Sequence, residues 1–145
     1  MYEDRINVVT MIAEDREDGL IKPINSIKCD GKGRASFSIR TIFNFINYRI
    51  TNDLLMGYYI KSLEENNRHW IMVANAEVSS PGHERLNQTL FGKLVTKEFV
   101  FPTPGKHVLE VYLCERFDIG DQKEEDVDYQ KIGKLVSTYF FIVEQ

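Results

Sequence analysis

The chain has 145 residues, 43% of them hydrophobic and 28% charged, with a formal net charge of −4. That is the size of one domain with a core of its own, needing no metal or disulfide staple, and the composition excludes a disordered or fibrous chain. No apolar run approaches the ~20 residues of a transmembrane helix, and the acidic balance disfavours wholesale attraction to nucleic acid or anionic lipid.

The first residues, MYEDRINVV, lack the basic region, long apolar run and small-residue cleavage site of a signal peptide, which predicts a cytoplasmic protein. INVVTMIA (6–13) is apolar on both faces and β-branched, so it predicts a strand buried on both sides. EDREDG (14–19) is a charged turn, and 20–28, with Ile21, Ile24 and Ile27 around Pro23, predicts an irregular edge strand broken at the proline. The stretch 36–50 fits two periods. Phe37, Ile39, Thr41, Phe43 and Phe45 alternate as in a strand, while Ile39, Ile42, Phe43, Ile46 and Ile50 fit a helix that Ser36 would cap. Its β-branched and aromatic content favours the strand.

LLMGYYIKSL (54–63) reads as a strand, EENNR (64–68) as a hairpin loop, and 69–78 as the return. On that return Trp70, Met72, Ala74, Ala76 and Val78 share one face, closed by Ser79-Ser80-Pro81-Gly82. Leu86, Leu90 and Leu94 stand at helical spacing, predicting a short helix or a long loop over 84–94. EFVFPTPGKHVLEVYLCE (98–115) reads as a β-turn-β hairpin, because Pro102 and Pro104 cannot donate to a ladder and Gly105 frees the backbone. Beyond the corner His107, Leu109, Val111 and Leu113 point one way, and Val108, Glu110, Tyr112 and Cys114 the other. Residues 116–131 form a long acidic loop, and GKLVSTYFFIVE (133–144) is a last strand. Together these predict an all-β antiparallel sandwich of about eight strands, with at most one or two short helices, in a single domain over 1–145.

The series of an apolar first strand, IFNFINYRI, LLMGYYIKSL, EFVFPTPGKHVLEVYL and LVSTYFFIVE resembles a bacterial family of small, uncharacterised immunoglobulin-like β-sandwich proteins. The resemblance implies an immunoglobulin-like sandwich and brings no catalytic residues with it. It departs from an antibody-type domain, because Trp70 lies midway between Cys29 and Cys114 rather than soon after the first.

Catalytic signatures are sparse. There is no GxSxG elbow, and His69, His83 and His107 fall at strand starts and a turn, which predicts structural roles and no enzyme. No HExxH, CxxC, EF-hand or phosphate-loop pattern occurs, so no cofactor or metal is expected. Asp118, Asp121, Glu124, Glu125, Asp126 and Asp128 offer hard oxygen ligands for calcium, but their spacing fits a solvated loop better. Cys114 reads as a small packing residue, and Cys29 leaves open an exposed thiol.

Two binding readings remain. Lys22, Lys28, Lys32, Arg34, Arg40 and Arg49 face a single acid, Asp30, and are interleaved with Phe37, Phe43, Phe45 and Tyr48. Basic strands with aromatics suit single-stranded nucleic acid, which makes Lys28, Lys32, Arg34 and Arg40 a candidate site; core packing of the same phenylalanines is the simpler alternative. In the last strand Tyr139, Phe141 and Val143 face one way and Val136, Phe140 and Ile142 the other, so Tyr139, Phe140 and Phe141 are a candidate interface with a protein partner or a second subunit. The favoured expectation is a non-catalytic protein-interaction module of a bacterium or phage, with a nucleic-acid binder as the alternative.

Overall fold

The alternating stretches become strands. A computed structural model describes residues 6–15, 21–45, 54–64, 70–78 and 88–145. Among them β1 (Ile6–Asp15), β2 (Ile21–Pro23), β4 (Arg34–Phe45) and β7 (Gln88–Val100) form one sheet, and β3 (Ser26–Lys28), β5 (Leu54–Ser62), β6 (Ile71–Val78), β8 (Gly105–Glu115) and β9 (Lys134–Glu144) a second. The orders are β2-β1-β4-β7 and β3-β9-β8-β5-β6, and every pairing is antiparallel except that of β3 with β9. The result is an all-β, immunoglobulin-like sandwich with one short helix, α1 (Tyr129–Ile132), among the described residues.

Its core is made where the two inner faces meet. Ile12, Ile39, Phe43 and Phe45 from one sheet pack on Leu54, Tyr58, Ile60, Leu109 and Leu113 from the other. Each such aliphatic or aromatic side chain contributes about 1.5–3 kcal/mol on burial. A polar contact spans this core, joining Thr41 Oγ1 to the Tyr58 hydroxyl at 2.8 Å, and burial pushes the Tyr58 phenol up to about 12.

The broken edge strand over 20–28 is a change of sheet. β2 ends at Pro23, the Ile24 amide donates to the Ile12 carbonyl at 2.9 Å, and the Asn25 carbonyl then accepts from the Ile142 amide at 2.8 Å. The segment thereby edges both sheets in turn. The expected hairpin at 98–115 proves to be a crossing of the same kind, since β7 and β8 lie in opposite sheets. Two prolines show where pairing stops, not which strand pairs next.

Other expectations need correction for local reasons. The short helix or long loop expected over 84–94 is strand from Gln88 onward, because Leu90 and Leu94, four apart, satisfy a period of two as well as one of 3.6. A register shift leaves Val73 as an extra residue in β6, so Ala74, Ala76 and Val78 join the core while Trp70 and Met72 pack on the outer face. A second shift leaves Val136 extra in β9, which turns Val136 inward instead of outward with Phe140. β1 is not buried on both sides throughout, since Val9 on its outer side is 53% exposed, although Ala13 on that side is buried. The 46–50 end of the ambiguous stretch, the hairpin loop beyond Glu64 and the Ser-Ser-Pro-Gly turn lie outside the described residues.

The acidic loop is a packed layer. Two 3-10 turns, Arg116–Ile119 and Glu124–Asp126, lead into α1 and lay Ile119, Val127 and Tyr129 on the outer face of the five-stranded sheet against Leu55, Tyr59 and Cys114. The Tyr129 amide donates to the Tyr59 hydroxyl at 2.9 Å, and the Tyr129 hydroxyl donates to the Glu124 carbonyl at 3.0 Å. Gly57 makes room beneath, because a Cβ there would fall 2.5 Å from the Tyr129 ring. Burial raises the Tyr129 phenol to about 12 and the Cys114 thiol to about 11.

Candidate interaction surface

The outer face of the four-stranded sheet is open at Val9, Phe91 and Val95, while Ala13 and Ser38 on the same face are buried. Register places Val9 beside Ile42 and Ile42 beside Phe91, so the three form an apolar row across β1, β4 and β7. Phe91 is 77% exposed and Val9 53%. The row on one side is Met11, Arg40 and Lys93, followed by Ala13, Ser38 and Val95; the row on the other is Asn7, Asn44 and Thr89. These four rows carry two cations and no carboxylate. Exposed Lys97 follows further along β7.

The face adjoins a cleft between the edge strands β6 and β7. It measures about 380 Å³, with Phe43, Met56 and Tyr58 as its floor, and Phe91 and Lys93 belong both to its lining and to the rows above. Its lining sets the charged Glu77 and Lys93 beside the apolar Ala76, Val78, Leu90 and Leu94.

The structure scatters the basic residues singled out from the sequence. Lys28, Lys32 and Arg34 gather at one corner, where the Asp30 carboxylate accepts from the Arg34 amide at 3.0 Å, the Lys32 amide at 2.8 Å and Arg34 Nε at 3.1 Å. Those two backbone bonds, Arg34 first, hold Asp30 below the usual carboxylate range. Arg34 also stands 4.0 Å from Glu98. Arg40 lies six residues further on in β4, roughly 20 Å at the usual rise of a strand. Phe37, Phe43 and Phe45 point into the core. Tyr48 and Arg49 lie outside the described residues.

Of the last-strand candidates only Phe140 faces outward, at 65% exposure. It shares a shallow depression with Ile142, Leu63 and Lys106. Tyr139 faces inward and its hydroxyl donates to the Ile24 carbonyl at 2.6 Å, while Phe141 is core, stacked on His107 with centroids 5.5 Å apart. Cys29 is buried rather than exposed, and burial, reinforced by Asp30, pushes its thiol up. In the acidic segment Arg116 clamps Glu77 at 2.5 Å and also Glu124, which raises the Arg116 guanidinium. The Asp118 carboxylate accepts from the Glu115 amide, and Asp128 caps α1. Among the described residues no three His, Cys, Asp or Glu side chains group as a metal site. Phe117, beside these carboxylates, is 66% exposed.

His107 is closed in between Phe101 and Phe141. Its Nδ1–H donates to the Gly105 carbonyl at 2.9 Å, which leaves Nε2 as a bare acceptor, without a partner among the described residues. Burial pushes this imidazole below its ordinary value. The unfolded chain therefore takes up a proton that the folded chain refuses, and stability falls as pH drops below about 6.5, by up to about 1.4 kcal/mol per pH unit. Urea unfolding between pH 7.5 and pH 5 checks this, and His107→Leu is expected to flatten the dependence. An unchanged slope in that variant would assign the acid sensitivity elsewhere. His69 and His83 lie outside the described residues.

Sequence reasoning missed the Val9, Ile42 and Phe91 row. The signal was present as alternation in TLFGKLVTK, where Leu90, Leu94 and Thr96 take one side and Phe91, Lys93 and Val95 the other. Helical spacing of the leucines masked it.

No family model and no curated protein sequence matches the chain. Solved structures of similar fold include a β-glucosidase from Kluyveromyces marxianus in complex with glucose, at 9% identity and a TM-score of 0.54, covering 97% of this chain and 14% of that one. The C-terminal domain of wzt is similar at 13% identity and a TM-score of 0.50, covering 94% of this chain and 71% of that one. A bacterial adhesin from Mobiluncus mulieris is similar at 12% identity and a TM-score of 0.50, covering 97% of this chain and 57% of that one. The chain thus spans about a seventh of the glucosidase and a little over half of the adhesin. At such identities the likeness concerns the sandwich fold and not activity. Among the described residues no helix is long and apolar enough to cross a membrane.

Proposed function

We propose that the chain is a non-catalytic protein-interaction module acting in the cytoplasm of a bacterium or in the service of its phage, and that it makes contact through the outer face of the four-stranded sheet. The observation behind this reading is the row of Val9, Ile42 and Phe91, with Phe91 77% exposed. A phenylalanine left in water forgoes about 1.5–3 kcal/mol of burial, and aligned apolar residues on an open face are the usual mark of a contact surface. Arg40 and Lys93 beside the row would draw an acidic partner and orient it.

Nucleic acid is the weaker occupant of the same face. Single-strand binding relies on successive aromatic platforms, whereas Phe91 is flanked along its row by the aliphatic Ile42 and Val9. Such neighbours pack against another apolar face but offer no second ring to a base.

Two labelled probes separate these readings by fluorescence anisotropy: a peptide alternating acidic with apolar residues, and a single-stranded oligodeoxynucleotide. The peptide is expected to bind, and Phe91→Asp to weaken it at least about tenfold while changing stability by no more than about 0.5 kcal/mol. Binding of the oligonucleotide with a steep loss in salt, or failure of the peptide to depend on Phe91, would overturn the proposal.

A further inference from the structure

We infer that the cleft between β6 and β7 binds a small neutral ring compound carrying one hydroxyl, a phenol or an aromatic alcohol, with its ring beneath Gly92 and its oxygen at the Tyr58 hydroxyl. The site goes beyond the contact surface proposed above and does not depend on it. Its origin is a notch in the inner face of the four-stranded sheet. Register aligns Thr10, Thr41 and Gly92 in one inward row, where the rows on either side carry Ile12, Ile39 and Leu94 or Val8, Phe43 and Leu90. The facing edge is small as well, since β6 pairs Ala74 with Tyr58 and Ala76 with Met56.

The packing of the chain itself does not require a glycine at position 92. Gly92 pairs with Thr41 in unbroken register, and a Cβ there would meet nothing nearer than Phe43 Cε2 at 3.8 Å and Thr41 at 3.9 Å, which are ordinary contacts. A glycine inside a strand weakens it, and where no bulge or bend calls for one it marks the close approach of something else. The absent side chain opens onto the cleft of about 380 Å³. Small-molecule sites commonly measure roughly 300–1,000 Å³, and about 150 Å³ of apolar space already admits benzene.

The floor chooses the chemistry. Phe43 and Met56 offer a ring and a thioether to the flat face of a ligand, with Tyr58 between them and the polar row. The Tyr58 and Thr41 hydroxyls, 2.8 Å apart, share one hydrogen; when Thr41 supplies it, the hydrogen of Tyr58 points at the Met56 sulfur 3.7 Å away. A thioether is a weak acceptor, so a ligand oxygen is the better partner, and the Tyr58 oxygen keeps a lone pair for a ligand hydroxyl. At the far end of the row Thr10 Oγ1 is buried without a partner among the described residues, so this row holds more polar capacity than the chain satisfies. Charge is excluded for a separate reason. Glu77 and Lys93 also line the cleft, but Arg116 holds the Glu77 carboxylate at 2.5 Å and Lys93 has an interaction of its own, so neither is a free counterion for a charged ligand.

Titration of the full chain with p-cresol, followed by NMR shifts of its amides and methyls, tests this. Saturable binding is expected with a dissociation constant below about 1 mM, the range open to a ligand of so few atoms. The largest shifts should fall at Leu90, Gly92, Leu94 and the Met56 methyl, which line the cleft. Toluene, the same ring without the hydroxyl, should bind at least about fivefold more weakly, and the charged p-toluate at least about tenfold more weakly. Gly92→Val fills the notch and should abolish binding at an unchanged or higher melting temperature, while Tyr58→Phe should retain toluene and bring p-cresol down to its level. No saturation, shifts centred elsewhere, or unchanged affinity in Gly92→Val overturns the site. If valine unfolds the chain, Gly92→Ala carries the same test, and p-cresol bound there as in the wild type overturns it equally. Toluene or p-toluate binding as tightly as p-cresol, or a hydroxyl preference that survives Tyr58→Phe, overturns the ligand chemistry.

Discussion

Gly57→Ala is expected to destabilise the fold by about 1–3 kcal/mol, although alanine ordinarily suits a strand interior better than glycine. The reason is the ring above it. A methyl at position 57 would lie 2.5 Å from Cγ and Cδ2 of Tyr129 and 2.7 Å from its Cβ. Tyr129 cannot move aside cheaply, being fully buried and held by the Tyr59 hydroxyl at one end and the Glu124 carbonyl at the other. Tyr129→Ala is expected to cost more, about 3–5 kcal/mol, as the anchor of the layer over the five-stranded sheet. In that background the penalty of Gly57→Ala should vanish, because the clashing partner is gone. Urea unfolding followed by the single tryptophan, Trp70, which packs on this cluster, reads all four corners of the cycle. Additive costs would show that the ring is not what requires glycine.

Phe101→Ala is expected to cost about 3–5 kcal/mol. Phe101 sits where the chain leaves one sheet for the other, and its ring meets Phe99 at 4.7 Å, His107 at 5.4 Å, Phe37 at 6.0 Å and Phe141 at 6.1 Å between centroids. Its amide donates to the Gly33 carbonyl at 2.9 Å. The residue thus ties both sheets together beside the buried imidazole. Phe101→Leu keeps much of the volume and should cost less than about 1.5 kcal/mol. Truncation also admits water to His107, so Phe101→Ala is expected to lose much of its extra acid sensitivity between pH 7 and pH 5.5. Unfolding at the two pH values measures both effects, and a full acid dependence in Phe101→Ala would mean that the aromatic cage does not set the imidazole's behaviour.

These residues also show how far the sequence could be read. The alternation of β8 was legible because both of its faces are packed and its inward run from Leu109 to Leu113 is unbroken. Parity failed at Val73 and Val136, since an inserted residue reverses every later assignment and a bulge leaves no mark in composition. The Pro-Thr-Pro-Gly corner was recognisable as a stop, but its partner strand depends on long-range pairing that local chemistry does not encode. The basic cluster looked contiguous because the residues are near in sequence, yet an extended strand carries Arg40 far from Arg34 and the Asp30 carboxylate engages Arg34. Val9 was assigned to the interior on hydrophobicity alone. Its exposure is informative for that reason, as apolar side chains on an open face reflect a demand other than folding.

The passage of residues 21–28 from one sheet to the other gives the sandwich a spine. Bonds from Ile24 to Ile12 and from Ile142 to Asn25 bind the layers along that margin, and the cleft between β6 and β7 lies along the opposite one. At that far margin β6 and β7 are edge strands of different sheets with no ladder between them, and they face each other through side chains such as Ala76, Val78, Leu90 and Leu94. A side chain entering beside Phe91 therefore passes between two sheet edges and interrupts the ladder of neither.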